Sequence, residues 1–88
     1  MSRDNADDIA AAHRHPLIAT IAPDAAYTGE FQDGASWRPV AGNPSVCGGH
    51  VQTVIAGAVL RGGTAVAHRT VITVTQPGLA PTRWTPTT

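Results

Sequence analysis

The stretch His50–Thr75, HVQTVIAGAVLRGGTAVAHRTVITVT, constrains the fold more than any other part of the chain. It holds two runs of β-branched and small apolar residues joined at Gly62–Gly63. Two glycines in a row form a favoured hairpin loop, because both central positions need a positive φ that only glycine adopts at little cost. The pattern therefore predicts a long β-hairpin, Val51–Leu60 paired with Thr64–Thr75. In that register Val59 meets Val66, Gly57 meets His68, Ile55 meets Thr70, Thr53 meets Ile72 and Val51 meets Val74. These side chains share one face, rich in Val, Ile and Thr. The opposite face, from Gln52 and Val54 to Arg69 and Val71, is shallow and only partly polar. That is less alternation than a solvent-facing sheet shows, so part of it should be covered by the rest of the chain or by another subunit.

The material for a core is scarce. Leu, Ile, Val and Phe together make 17 of 88 residues, about 19%, near the level at which disorder sets in when net charge is high. The net charge here is zero and only 14% of residues are charged. A chain of this size and composition gains from being stapled, metal-bound or oligomeric. An internal disulfide is ruled out, since Cys47 is the one cysteine. The six basic residues are all arginine and are scattered singly, which speaks against nucleic acid as a partner. No apolar run approaches the roughly 20 residues of a membrane span, and no basic-then-apolar leader opens the chain. A cytoplasmic or virion location is the expectation.

Composition divides the chain into three segments: a short helix or arm over 1–15, a β domain over 16–75, and an extended Pro/Thr-rich tail over 76–88. In the first, Asp4 or Asn5 could cap a helix with Asp7 and Asp8 in its first turn and His13–Arg14 in its last, and Pro16 stops it. Leu17–Ala22 is expected as a short strand. Gly29–Gln32 and Ala35–Val40 are expected to pair across the Asp33–Gly34 turn, with Phe31 opposite Ser36 and Glu30 opposite Trp37. Phe31 and Trp37 then fall on opposite faces. Ala41–Gly49 has loop composition. Its Asn43-Pro44-Ser45 is not a glycosylation acceptor, because proline occupies the middle position. Gln76–Thr88, with three prolines, is expected to be neither helix nor central strand. Trp84 and Leu79 stand out in it as anchors that pack against something.

Chemistry-bearing residues are few. Cys47-Gly-Gly-His50 sets a thiol three residues from an imidazole. A zinc site needs about four ligands and usually shows paired spacings, and a site here would have to recruit His13 and His15. A Cys–His nucleophile would need a third group, such as Asp24 or Asp33, and oxyanion donors such as the Gly48–Gly49 amides. Neither arrangement is required by the spacing, so a small Cys/His enzyme or metal protein ranks last. His68 is expected on the apolar face opposite Gly57, as a core histidine. The glycine pairs lack the context of a phosphate-binding loop.

The chain is therefore expected to be mainly β: a small sandwich or barrel-like sheet of about four to six strands built on the long hairpin. No catalytic, cofactor or metal residue is assigned. The functional expectation is a non-enzymatic structural or interaction subunit of a larger protein assembly, homo-oligomeric or virion-like, such as a capsid-decorating or head–tail joining protein. Arg69, Leu79, Arg83, Trp84 and Trp37 are the residues expected to meet protein partners. The alternative is a small adaptor, inhibitor or immunity-type module that meets one partner through its hairpin edge.

Overall fold

A computed structural model describes residues 3–40 and 45–87. Among these described residues lie three helices, α1 (Arg3–Ala12), α2 (Pro16–Ala19) and α3 (Gly48–Leu60), and six strands. The strands are β1 (Ala26–Asp33), β2 (Ser36–Pro39), β3 (Ser45–Cys47), β4 (Thr64–His68), β5 (Val71–Thr75) and β6 (Thr82–Pro86). Their pairings are antiparallel, in the order β2-β1-β6-β5-β4, with β3 also pairing β1. The expected mainly β architecture is present as one open sheet with helices on one face. It does not close into a barrel.

The long hairpin over 51–75 is not formed: its first half is α3. Val51, Val54, Ile55, Ala58 and Val59 recur at i, i+3, i+4, i+7 and i+8, which is an apolar helical stripe. Burial follows that stripe, with Val51, Ile55 and Ala58 at 0% exposure. Gly62–Gly63 ends the helix instead of turning a hairpin. Arg61 is the C-cap, and Gly62 comes next at φ 81°. The Gly62 amide donates to the Val59 carbonyl (3.1 Å) and the Gly63 amide to the Ala58 carbonyl (2.7 Å), the paired bonds of a Schellman motif. A hairpin loop and this cap both demand glycine, so the Gly-Gly pair marks a chain reversal without fixing its kind.

The second half of the expected hairpin divides in two. β4 and β5 pair through Ala65↔Val74, Ala67↔Ile72 and His68↔Val71, around the two-residue loop Arg69–Thr70. His68 consequently lies at the exposed end of the hairpin and not in the core. Leu17–Ala22 is helical rather than a strand at its start. Pro16 sits in the first turn of α2, where its missing N–H costs nothing, and His15 Nδ1 accepts from the Leu17 amide at 3.2 Å as the N-cap. α1 is the helix expected near the N-terminus, although Asp4 and Asn5 fall inside it and His13–Arg14 beyond its end.

The β1–β2 hairpin is present, one residue out of the expected register. Its loop is Gly34–Ala35, with Asp33 opposite Ser36, Gln32 opposite Trp37 and Phe31 opposite Arg38. Gly34 has φ 63°, so the glycine takes the first central position of the loop rather than the second. Phe31 and Trp37 still lie on opposite faces. Of the loop expected at 41–49, residues 41–44, Asn43 and Pro44 included, lie outside the described residues. Ser45–Cys47 is β3, and Gly48 opens α3.

The Pro/Thr-rich tail supplies the centre of the sheet. β6 lies between β1 and β5, pairing Gly29↔Trp84 on one side and Ile72↔Trp84 on the other. A Gln76–Leu79 turn leads into it. Pro77 and Gly78 (φ 76°) occupy the middle of that turn and the Leu79 amide returns to the Gln76 carbonyl at 3.2 Å, the residue preferences of a type II turn. The prolines fall outside β6 or at its last residue, so Thr82, Arg83 and Trp84 are free to pair on both sides.

Alternation sorts the sheet into two faces. Tyr27, Ala65, Ile72, Val74 and Trp84 point toward α3 and, with Ile21 and the α3 stripe, form the core. Trp84 is 3% exposed, and its ring lies flat over Gly29, where a Cβ would come within 2.7 Å of ring atom Cε3. A glycine inside a strand marks such close approaches. Gln52 ties α2 to α3, its Nε2 donating to the carbonyls of Ile18 (3.2 Å) and Ile21 (2.9 Å). Among the described residues no helix is long and apolar enough to cross a membrane.

Candidate functional site

Among the described residues, the face of the sheet turned away from α3 has no buried side chain and is bare. It carries Thr28, Glu30, Gln32, Trp37, Arg83, Thr85, Val71, Thr73, Thr75, Thr64 and Val66, and none of these is buried. Val66 is 62% exposed. Threonine dominates because a β-branched side chain suits the pleated surface, while its hydroxyl tolerates water and its methyl tolerates a partner.

Two of the residues expected to meet partners come together on this face. Arg83 of β6 stands directly across from Glu30 of β1, and its Nε donates to Glu30 Oε1 at 2.8 Å. The guanidinium then reaches over β1 to lie 4.4 Å from the ring centroid of Trp37 on β2. The cluster thus runs diagonally over three adjacent strands. Its side chains are about one-third exposed (36% for Arg83, 29% for Glu30), so the ion pair is partly screened and contributes about 1 kcal/mol or less. The cation–π contact adds a similar amount. Its main effect is to hold a flat aromatic and a cation rigidly on the surface. The Arg38–Asp33 pair at 2.6 Å is more exposed still.

The other three expected contact residues lie elsewhere. Arg69 occupies the β4–β5 loop, and Leu79, 62% exposed, comes after β5. They flank opposite ends of β5, a five-residue strand about 17 Å long at the usual strand rise. Trp84 does anchor its segment, but inside its own chain. Its ring packs on Gly29 and meets His50 edge-on at 5.7 Å, and its Nε1 donates to Thr82 Oγ1 at 3.0 Å. It is not a surface residue, and the segment that carries it is a sheet strand rather than an arm awaiting a partner.

The Cys47–His50 segment serves as the start of α3. Cys47 is exposed and is the N-cap, without a side-chain capping bond. The Gly48 amide donates to the Ala25 carbonyl (2.7 Å) and the Gly49 amide to the Pro23 carbonyl (2.9 Å), so both candidate oxyanion donors are already committed. Gly48 is glycine because a Cβ there would overlap the Ala22 carbonyl. His13 Nδ1 lies 2.9 Å from the Ile9 carbonyl and His15 caps α2. Among the described residues no three His, Cys, Asp or Glu side chains gather as a metal site would require.

Sequence reasoning missed Glu30 and Val66 as parts of the surface. The signal that could have found Val66 was the break in alternation at Arg69–Thr70, which shortens the hairpin and moves Val66 to an outer strand. No protein-family model, no curated protein and no solved structure matches the chain.

Proposed function

We propose that this protein is a non-enzymatic structural and interaction subunit of a larger protein assembly, docking through the bare face of its sheet. The observation that supports this most is the asymmetry of the sheet: one face is sealed by α3, while the other has no buried side chain among the described residues and presents Trp37, Val66 and a field of threonines. A five-strand face spans roughly 24 Å by 17 Å at standard strand spacing and rise, about 400 Å². A stable pairwise interface takes about 800 Å² per partner. The face alone thus suits weak contacts multiplied in an assembly better than a tight isolated pair. A small virion component, capsid-decorating or head–tail joining, is the form of assembly we put forward.

Sedimentation equilibrium over a wide concentration range, with native mass measurement on protein from its natural source, tests this reading. Concentration-dependent association that Val66→Arg abolishes supports it. A monomer at every concentration, with no companion in the native material, refutes it. The adaptor alternative draws on a separate observation: β4 ends the strand order, so its outer backbone row has no strand partner among the described residues. An edge of that kind accepts an added strand from another chain, and a single 1:1 companion would favour it.

A further inference from the structure

A recess lies at the end of the α3-covered face, where α2, β1, β5, β6 and the β4–β5 loop converge around a cleft of about 310 Å³. Arg69 and Thr70 of the loop line it, together with the hydroxyl-bearing Thr20 and Tyr27. The rest of the lining, from Ala67, Ile72 and Pro86, is apolar, and no acidic residue takes part.

Two features of this cleft bear on what it could hold. Arg69 holds φ at 59°, the only non-glycine residue with a positive φ among the described residues. The first central position of a two-residue loop is where glycine or asparagine normally sits. Gly34 fills it in the β1–β2 loop, and the β4–β5 loop places a guanidinium there at the cost of strain. Strained residues of this kind concentrate at ligand sites. Arg38, Arg61 and Arg83 bond to acceptors within the chain, whereas the Arg69 side chain, like that of Arg14, has no ion-pair or hydrogen-bond partner among the described residues. The second feature is Tyr27. It is 6% exposed, yet its hydroxyl makes no hydrogen bond among the described residues. The one sequestered side-chain polar atom left without a partner among them is Oε1 of Gln76, so the Tyr27 hydroxyl keeps some exposure, on a residue that lines the cleft.

We propose that this cleft binds a carboxylate carried on a small apolar body, held by the Arg69 guanidinium and the Tyr27 hydroxyl. The planar fork of arginine matches a carboxylate with two parallel bonds. A lone cation beside apolar walls suits a singly charged group better than a phosphate dianion, which draws on several donors. The volume, at the low end of ligand pockets, admits a short aliphatic acid or the last residue of a polypeptide. The cleft faces away from the surface assigned to assembly, so its failure as a site would leave that assignment standing.

Titrating the isotope-labelled full chain with sodium butyrate at constant ionic strength, followed by amide chemical shifts, tests the proposal. Butyramide serves as the neutral isostere. Saturable shifts at Arg69, Thr70, Tyr27 and Thr20, at least tenfold tighter for butyrate than for butyramide, are expected. Arg69→Gly should keep the loop without lowering the thermal midpoint while weakening butyrate at least tenfold, and Tyr27→Phe should weaken it several-fold. A short peptide with a free terminal carboxylate, compared with its amidated form, distinguishes a chain terminus from a free acid as the source of the group. Equal binding of butyrate and butyramide, or undiminished butyrate binding by Arg69→Gly, overturns the proposal.

Discussion

Replacing Trp84 with alanine should remove a large share of this protein's stability. The indole is 3% exposed, sits on the central strand and covers the glycine gap in β1. A tryptophan buries about 150–250 Å², which at about 25 cal/mol per Å² corresponds to roughly 4–6 kcal/mol. Core truncations of Phe or Trp to alanine cost about 3–5 kcal/mol. An 88-residue domain has about 4–13 kcal/mol in total at typical stability per residue. Trp84→Ala therefore takes away between a quarter of the fold's stability and all of it. Collapse cannot refill the gap, because the residue beneath the ring is Gly29 and the neighbouring Ile72 and Val74 are already packed. Urea unfolding followed by far-ultraviolet circular dichroism gives the loss without relying on tryptophan as reporter. Trp37→Ala is the control: half-buried on the bare face, it should cost about 1 kcal/mol, the scale of its contact with Arg83. If Trp84→Ala stays within about 1 kcal/mol of the parent, or Trp37→Ala costs more, the placement of β6 at the centre of the sheet is wrong.

Gly62→Val forces a β-branched residue into the left-handed region at the end of α3 and should cost about 1–2 kcal/mol, lowering the melting midpoint by about 4–16 °C; an unchanged midpoint would speak against the helix cap. Gln52→Leu removes the donor to the Ile18 and Ile21 carbonyls and should cost about 1–3 kcal/mol, with hydrogen exchange at α2 rising before that of the sheet. Arg69→Gly relieves the positive φ and should leave the fold at least as stable as the parent, by up to about 1 kcal/mol, measurable as a urea midpoint that holds or rises with an unchanged slope. Ending the chain at Pro81 removes β6 and parts β1 from β5; such a chain should show no cooperative unfolding transition.

Local chemistry by itself determined a good deal here. The Asp33–Gly34 region had to reverse the chain, Pro16 had to end α1 and begin a separate element, and Gly62–Gly63 had to be a reversal, because in each case a backbone φ preference acts within a few residues. The alternating Val71–Thr75 was also bound to be a strand, and the scarcity of large apolar residues was plain from composition. Three outcomes were settled only by tertiary structure. Val51–Leu60 offers its apolar residues to a helical stripe as readily as to a strand run, and it became a helix because that stripe could be buried on the sheet. The Pro-rich tail looked unpairable, yet Thr82–Trp84 pairs on both sides once its prolines fall at the strand's limits. Arg83 and Trp37, 46 positions apart in the sequence, meet only because the last strand slots in beside the first. Short-range torsional preferences act before any fold exists, whereas burial depends on which surfaces the whole chain brings face to face.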